Sequence, residues 1–201
     1  MLIERRGRRP RVHDSAYLAP GVVVSGDVTI GAFTSVLAGA VITAEGGPVA
    51  IGSECVLMEH AVIRGARGHP CRIGDRVLVG PHAHLSGCQV EEDAFVATGA
   101  TLFNGARVGR EAEVRVHAVV QVNSVVPEQG LVPIGWVAVG DPAQLFPPSE
   151  HEAIWAVQRK LGFTRTVWGA PRNVPAGEIV ARYARALLRQ RKDRLLGDEP
   201  G

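Results

Sequence analysis

The sequence predicts an all-β solenoid, a parallel β-helix of hexapeptide repeats with C-terminal α-helices, and three observations carry that prediction. Every sixth residue is aliphatic: Val12, Leu18, Val24, Ile30, Val36 and Ile42, then Ile51, Leu57 and Ile63, then Ile73, Val79 and Leu85, then Val90, Val96, Leu102, Val108, Val114, Val120 and Val126. Four residues after these positions the side chain is usually small, as at Ala16, Thr34, Ala40, Cys55, Ala61, Ala83, Ala94, Ala100, Ala106, Ala112, Ala118 and Ser124. The period slips to nine residues after Ile42, ten after Ile63 and five after Leu85, and counting hexads in threes puts all three slips at one corner of a triangle. A period of six suits neither an α-helix nor an alternating hairpin, but it suits one short strand and one turn per hexad, three to a coil. Large then small inward residues fit a narrow tube.

Taken in order, the opening MLIERRGRRPRV is basic and has no apolar stretch of the kind a secretory leader needs. Residues 1–148 are assigned to the solenoid domain, with the repeat ending near Val126 and a Pro- and Gly-rich segment, VPEQGLVPIGWVAVGDPAQLFPP, leading out of it. Residues 149–201 form a helical extension. Its first helix is read from SEHEAIWAVQRKLG, with Ser149 as N-cap, Glu152 three residues on, Ile154, Val157 and Leu161 on one stripe, and Gly162 as stop. A linker, Gly169 to Pro175, precedes a second helix at about Ala176 to Arg194 with Ile179, Tyr183, Ala186 and Leu187 on its apolar face. Its Arg182, Arg185, Arg189, Arg191 and Arg194 read as a solvated face, because no aromatic stacking platform accompanies them.

Composition narrows the function classes. Of 201 residues, 46% are hydrophobic and 21% charged, an ordinary globular balance, and a net charge of +2 gives no overall nucleic-acid or membrane footprint. No apolar run reaches spanning length. Three cysteines, Cys55, Cys71 and Cys88, form no CxxC pair, which points to reduced thiols and a cytoplasmic protein.

The segments RRPRVHDSAYLAPGVVVSGDVTIG, IGDRVLVG, ATGATLFNGARVG and VGDPAQLFPPSE together resemble the gamma-class carbonic anhydrases, within the wider hexapeptide-repeat group that includes many acyltransferases. The resemblance spans residues 8 to 155. It implies a left-handed helix, a homotrimer, and active sites between subunits where three histidines hold a metal. Two of those histidines occupy a segment like V-G-H-x-x-x-L-H-G-C. Laid on Val79 to Cys88, that segment keeps Val, Gly, Leu, Gly and Cys but puts Pro81 and Ser86 at the histidine positions; the third falls on Arg64. The family's Arg-Gly-Asp becomes Thr43-Ala44-Glu45 and its Gln-Asp pair becomes Met58-Glu59. Pro and Arg offer zinc no lone pair and Ser is a poor neutral donor. A guanidinium ~4 Å from a dication would cost about 8 kcal/mol at an effective dielectric of ~20.

The stretch VLVGPHAHLSGC, Val77 to Cys88, then sets the candidate site. His60, His82 and His117 share the fourth place of their hexads, in a corner column that reads Gly21, Gly39, His60, His82, Gly99, His117. His84 and Ser86 flank inward Leu85, so both point outward on one face with Arg64, one coil before Ser86. The expected arrangement is an intersubunit cleft binding a small anionic or carbonyl compound, with Arg64 as anchor, Ser86, His60 and Glu59 around the substrate, and His82 or His84 as acid/base. No cofactor is expected; a displaced metal site built from His60, His82 and His84 is the alternative, as is packing at a trimer interface alone. His69 and Cys71, in the insertion RGARGHPCR, read as loop residues. The reaction class stays open, with a coenzyme A-dependent acyltransferase and a non-catalytic trimeric scaffold as rivals. Neither a membrane nor a nucleic acid is expected as partner.

Overall fold

The aliphatic positions become the inside of a tube. In the computed structural model, which describes residues 1–196, all of them are buried except Val12 and Leu18, which are half-exposed in the first coil where one side of the stack is open. The chain winds as a left-handed parallel β-helix with three sheets, one ten-stranded and two seven-stranded. Strands stack in register: Ile42 pairs with Ile63, Ile63 with Leu85, Leu85 with Leu102 and Leu102 with Val120, so each inward residue packs on its counterpart in the next coil. The small residues occupy the inner corners, with Ala40, Ala61, Ala83, Ala100 and Ala118 all fully buried.

The three slips of the period sit where expected. Each falls between a strand of the long sheet and the next strand of one seven-stranded sheet, at the junctions Ile42 to Ile51, Ile63 to Ile73 and Leu85 to Val90. The corner column is a left-handed turn in every coil: φ is +83° at Gly21, +74° at Gly39, +58° at His60 and His82, +66° at Gly99 and +56° at His117. Non-glycine residues occupy this region at a cost of roughly 1–2 kcal/mol each. The histidines are therefore held at the corners by the winding of the coil.

The solenoid is longer than the aliphatic count indicates, at both ends. Val132 and Ala138 continue the period and are fully buried, in strands Leu131–Val132 and Val137–Val139. The sequence concealed this because Ala replaces the larger aliphatics and Pro133 falls in the turn. Strand Gln144–Phe146 then folds back antiparallel on Val137–Val139. At the other end, Leu2–Glu4 pairs in parallel with Val23–Ser25, and Leu2 stands ten residues before Val12, the same step as Ile63 to Ile73. Both steps hold a small hairpin, bridged Arg5 to Arg8 and Ala66 to His69. His69 is thus pinned by a bridge, and Cys71 is not a loop residue: it lies in strand Cys71–Ile73, fully buried, with its sulfur 4.0 Å from that of Cys88.

Among its described residues the extension has three helices, α1 (His151–Gln158), α2 (Phe163–Trp168) and α3 (Ala176–Leu187). Helix α1 starts after Glu150 without a side-chain cap, so Ser149 is not its N-cap. Helix α2 lies in a stretch for which the sequence predicts no element; Gly162 and Gly169, both left-handed, bracket it. The second expected helix stops at Leu187 and passes through a 3-10 turn, Leu188–Lys192, into strand Arg194–Leu196, which pairs antiparallel with Leu2–Glu4. No helix among the described residues is long and apolar enough to cross a membrane.

Ile63→Ala, in the middle of the stack, is expected to cost about 2–5 kcal/mol in urea unfolding, and Val12→Ala less than about half of that, because Val12 is only partly enclosed. Equal losses would contradict the open-ended stack.

Candidate functional site

Outward residues of the long sheet form two columns. Val41, Val62, His84 and Thr101 make one; Thr43, Arg64 and Ser86 make the other. Register alone brings Arg64, His84 and Ser86 together. Helices α2 and α3 cover the second column: Phe163 packs edge-on against Phe103 at 5.5 Å, and Asn104 holds α2 by donating to the Thr166 carbonyl at 3.3 Å. Ser86, 8% exposed, donates to the Asn104 side-chain oxygen at 2.8 Å.

Arg64 is tied from two sides. Its Nη2 donates to Glu45 Oε2 at 2.5 Å and to the Tyr183 hydroxyl at 2.9 Å, and that hydroxyl donates to Glu45 Oε1 at 2.7 Å. The three side chains close a ring that joins two coils to α3. Trp168 packs edge-on against Tyr183 at 5.6 Å, closing one side of the ring. Arg64 Nε is buried and has no partner among the described residues, while the side chain as a whole keeps 31% exposure. Among the described residues no group hydrogen-bonds Nη1. Burial pushes the Tyr183 hydroxyl up from its ordinary value, and its hydrogen bond to the Glu45 carboxylate adds to this, so it stays a protonated donor at neutral pH.

His84 is half-buried in the neighbouring column. Desolvation lowers its pKa, and the positive charge of Arg64 lowers it further. Its imidazole is neutral at neutral pH and so able to accept a proton. The unfolded chain takes up that proton first as pH falls. The stability that neutral His84 contributes is therefore complete above the usual imidazole value and is lost as pH drops toward the lowered one.

The other expected site residues stand apart. His60 and His82 are exposed at the corner and stack face to face, centroids 5.2 Å apart and planes 9° from parallel. The His60 ring lies over Gly39, where an added Cβ would come 2.3 Å from its Nδ1. Glu59 is half-buried, and its carbonyl accepts from the His82 amide at 3.0 Å. Corner winding thus explains His60 and His82 without a ligand. Glu45 and Tyr183 are the polar partners that the sequence reading did not join to Arg64. A cavity of about 640 Å³ lies on a different face, against Arg72, Asp75, Gln89 and Arg110.

The side chains at Arg64 and Ser86 do not fit a zinc ion. One is a cation spent on Glu45 and Tyr183; the other gives its hydroxyl proton to Asn104. Among the described residues no group of three or more His, Cys, Asp or Glu side chains could hold a metal.

Two outcomes follow. Titrated by NMR, His84 should have a pKa below the usual imidazole value, and Arg64→Gln should raise it; no rise would separate the two side chains. Tyr183→Phe removes two hydrogen bonds and should destabilise the protein by about 1 kcal/mol while speeding amide exchange in α3. Unchanged exchange would show that the ring does not hold the helix.

No family model matches the chain. Gamma carbonic anhydrase 1, mitochondrial, of Arabidopsis thaliana is 30% identical over 203 residues, covering 94% of this chain and 72% of the relative. Gamma carbonic anhydrase 2, mitochondrial, of the same plant is 33% identical over 153 residues, covering 73% of this chain and 53% of the relative. The crystal structure of a candidate acetyltransferase of Bacillus cereus superposes with a TM-score of 0.57 at 22% identity, over 79% of this chain and 90% of the other, which shows a common fold. Coil register, interrupted hexads and sequence similarity over nearly the whole chain lead to one conclusion: this protein belongs to the gamma carbonic anhydrase family.

Proposed function

We propose that this family member works as a cytoplasmic homotrimer without zinc-bound hydroxide, and that its intersubunit cleft binds a small anionic or carbonyl compound. One observation carries the reading: Arg64, at the position the family resemblance gives to a metal-ligating histidine, is held by Glu45 and Tyr183 with Nη1 left over. A dication beside that guanidinium would be repelled, whereas a carboxylate or bicarbonate oxygen would be attracted. Glu45 offsets part of the charge, so selectivity falls on ligands small enough to approach Nη1 without displacing Tyr183. His84, neutral and one coil away, is the acid/base residue; Ser86 orients Asn104, which holds α2.

Isothermal titration with bicarbonate, acetate and acetyl-coenzyme A tests this. Wild type should bind bicarbonate or acetate saturably, and Arg64→Gln should weaken that about 10–100-fold, the worth of a charged hydrogen bond. The double variant Arg64→Gln/Glu45→Gln, which leaves no orphaned carboxylate, should behave alike. Undiminished anion binding in both variants would overturn the reading, and so would saturable acetyl-coenzyme A binding that ignores Arg64.

A further inference from the structure

Two arginine-rich segments, residues 5–9 and 189–194, meet at the first-coil end of the solenoid. Pairing of Leu2–Glu4 with Arg194–Leu196 sets Glu4 opposite Arg194 and Ile3 opposite Leu195. The hairpin from Arg5 to Arg8 then stands beside the 3-10 turn Leu188–Lys192, around a cavity of about 330 Å³ lined by Glu4, Arg6, Gly7, Arg189, Lys192 and Asp193.

Charge at this end is not balanced. Of the carboxylates beside the hairpin and the 3-10 turn, Asp193 is held by Arg5 at 2.8 Å and Glu4 by Arg9 at 2.7 Å. Arg6, Arg8, Arg189, Arg191, Lys192 and Arg194 are all exposed and have no ion-pair partner among the described residues. These six cations sit on a chain whose whole net charge is only +2. Asp198 and Glu199 follow in the sequence, outside the described residues. Exposed aliphatic side chains are interleaved with the cations: Leu195 is 67% exposed, Met1 63% and Leu188 53%.

Cations alone would suit any polyanion. Cations beside exposed Leu and Met suit a surface with phosphates outside and acyl chains beneath. Single-stranded nucleic acid would call for aromatics stacked among the cations, and the exposed aromatic of the first coil, Tyr17, lies in a different sheet from the 194–196 strand. We propose that this end of the solenoid docks on an anionic lipid bilayer, with the six cations contacting headgroups and Leu188, Leu195 and Met1 entering the interface. This revises two expectations, that the basic face is solvated and that no membrane is a partner, and it does not depend on the Arg64 site.

Co-sedimentation with vesicles tests it on the full chain. Vesicles containing about 30% phosphatidylserine should bind the protein, and phosphatidylcholine vesicles should not; raising salt from about 0.05 to 0.5 M should release it. Arg189→Glu/Arg191→Glu/Lys192→Glu should weaken binding at least about tenfold, with the melting curve confirming that the triple variant folds. Leu195→Ser, which keeps every charge, should weaken it several-fold. Failure to bind anionic vesicles would overturn the proposal. So would equal binding by Leu195→Ser together with tighter binding of an oligonucleotide, which would assign this end to nucleic acid.

Discussion

Parallel, in-register stacking of coils is the constraint on which the rest depends. A strand of two residues cannot hold itself together; it persists because its backbone hydrogen bonds and its inward side chain are both matched by the coil above and the coil below. Matching leaves no freedom of register, since a slip of one residue would expose the aliphatic column. Everything on the outside inherits that fixity. Arg64 lies over Thr43 and under Ser86, and His84 over Val62, because Ile63 must lie between Ile42 and Leu85.

That scaffold determines what the outer chemistry can be. A metal site needs several lone pairs converging on one point, whereas the column here delivers a cation beside a hydroxyl. The guanidinium is settled by a carboxylate from the preceding coil and a phenol from α3, so the helical extension takes part in the site instead of merely following it. Neutral His84 is the consequence in the neighbouring column: burial and the adjacent positive charge both oppose its protonation.

The solenoid was legible because its signal repeats, and each hexad votes for the same register. Its ends were not: Ala138 is inward but small, and Leu2 is separated from Val12 by a hairpin that a strict period of six skips. The ten-residue step at Ile63 to Ile73, with its own hairpin, was the available signal for the first coil. The extension was read less well, since α2 is six residues long and set by flanking left-handed glycines, and the predicted continuation of α3 is diverted into a strand by pairing with Leu2–Glu4. At the site, the adjacency of Arg64, His84 and Ser86 follows from counting. Tyr183 lies 119 residues from Arg64, on a helix whose docking no local pattern encodes. The stacking of His60 on His82 was foreseeable from the column; that both are exposed corner residues in left-handed turns depends on the winding of the coil.

The central proposal is that a guanidinium, standing where the family resemblance places a ligand histidine, excludes a dication. Zinc content of the protein purified from zinc-replete cells, measured by plasma mass spectrometry before and after exchange into metal-free buffer, tests it most directly. The account predicts far less than one zinc per chain in both samples. About one zinc per chain that survives the exchange, accompanied by rapid hydration of carbon dioxide, would contradict it.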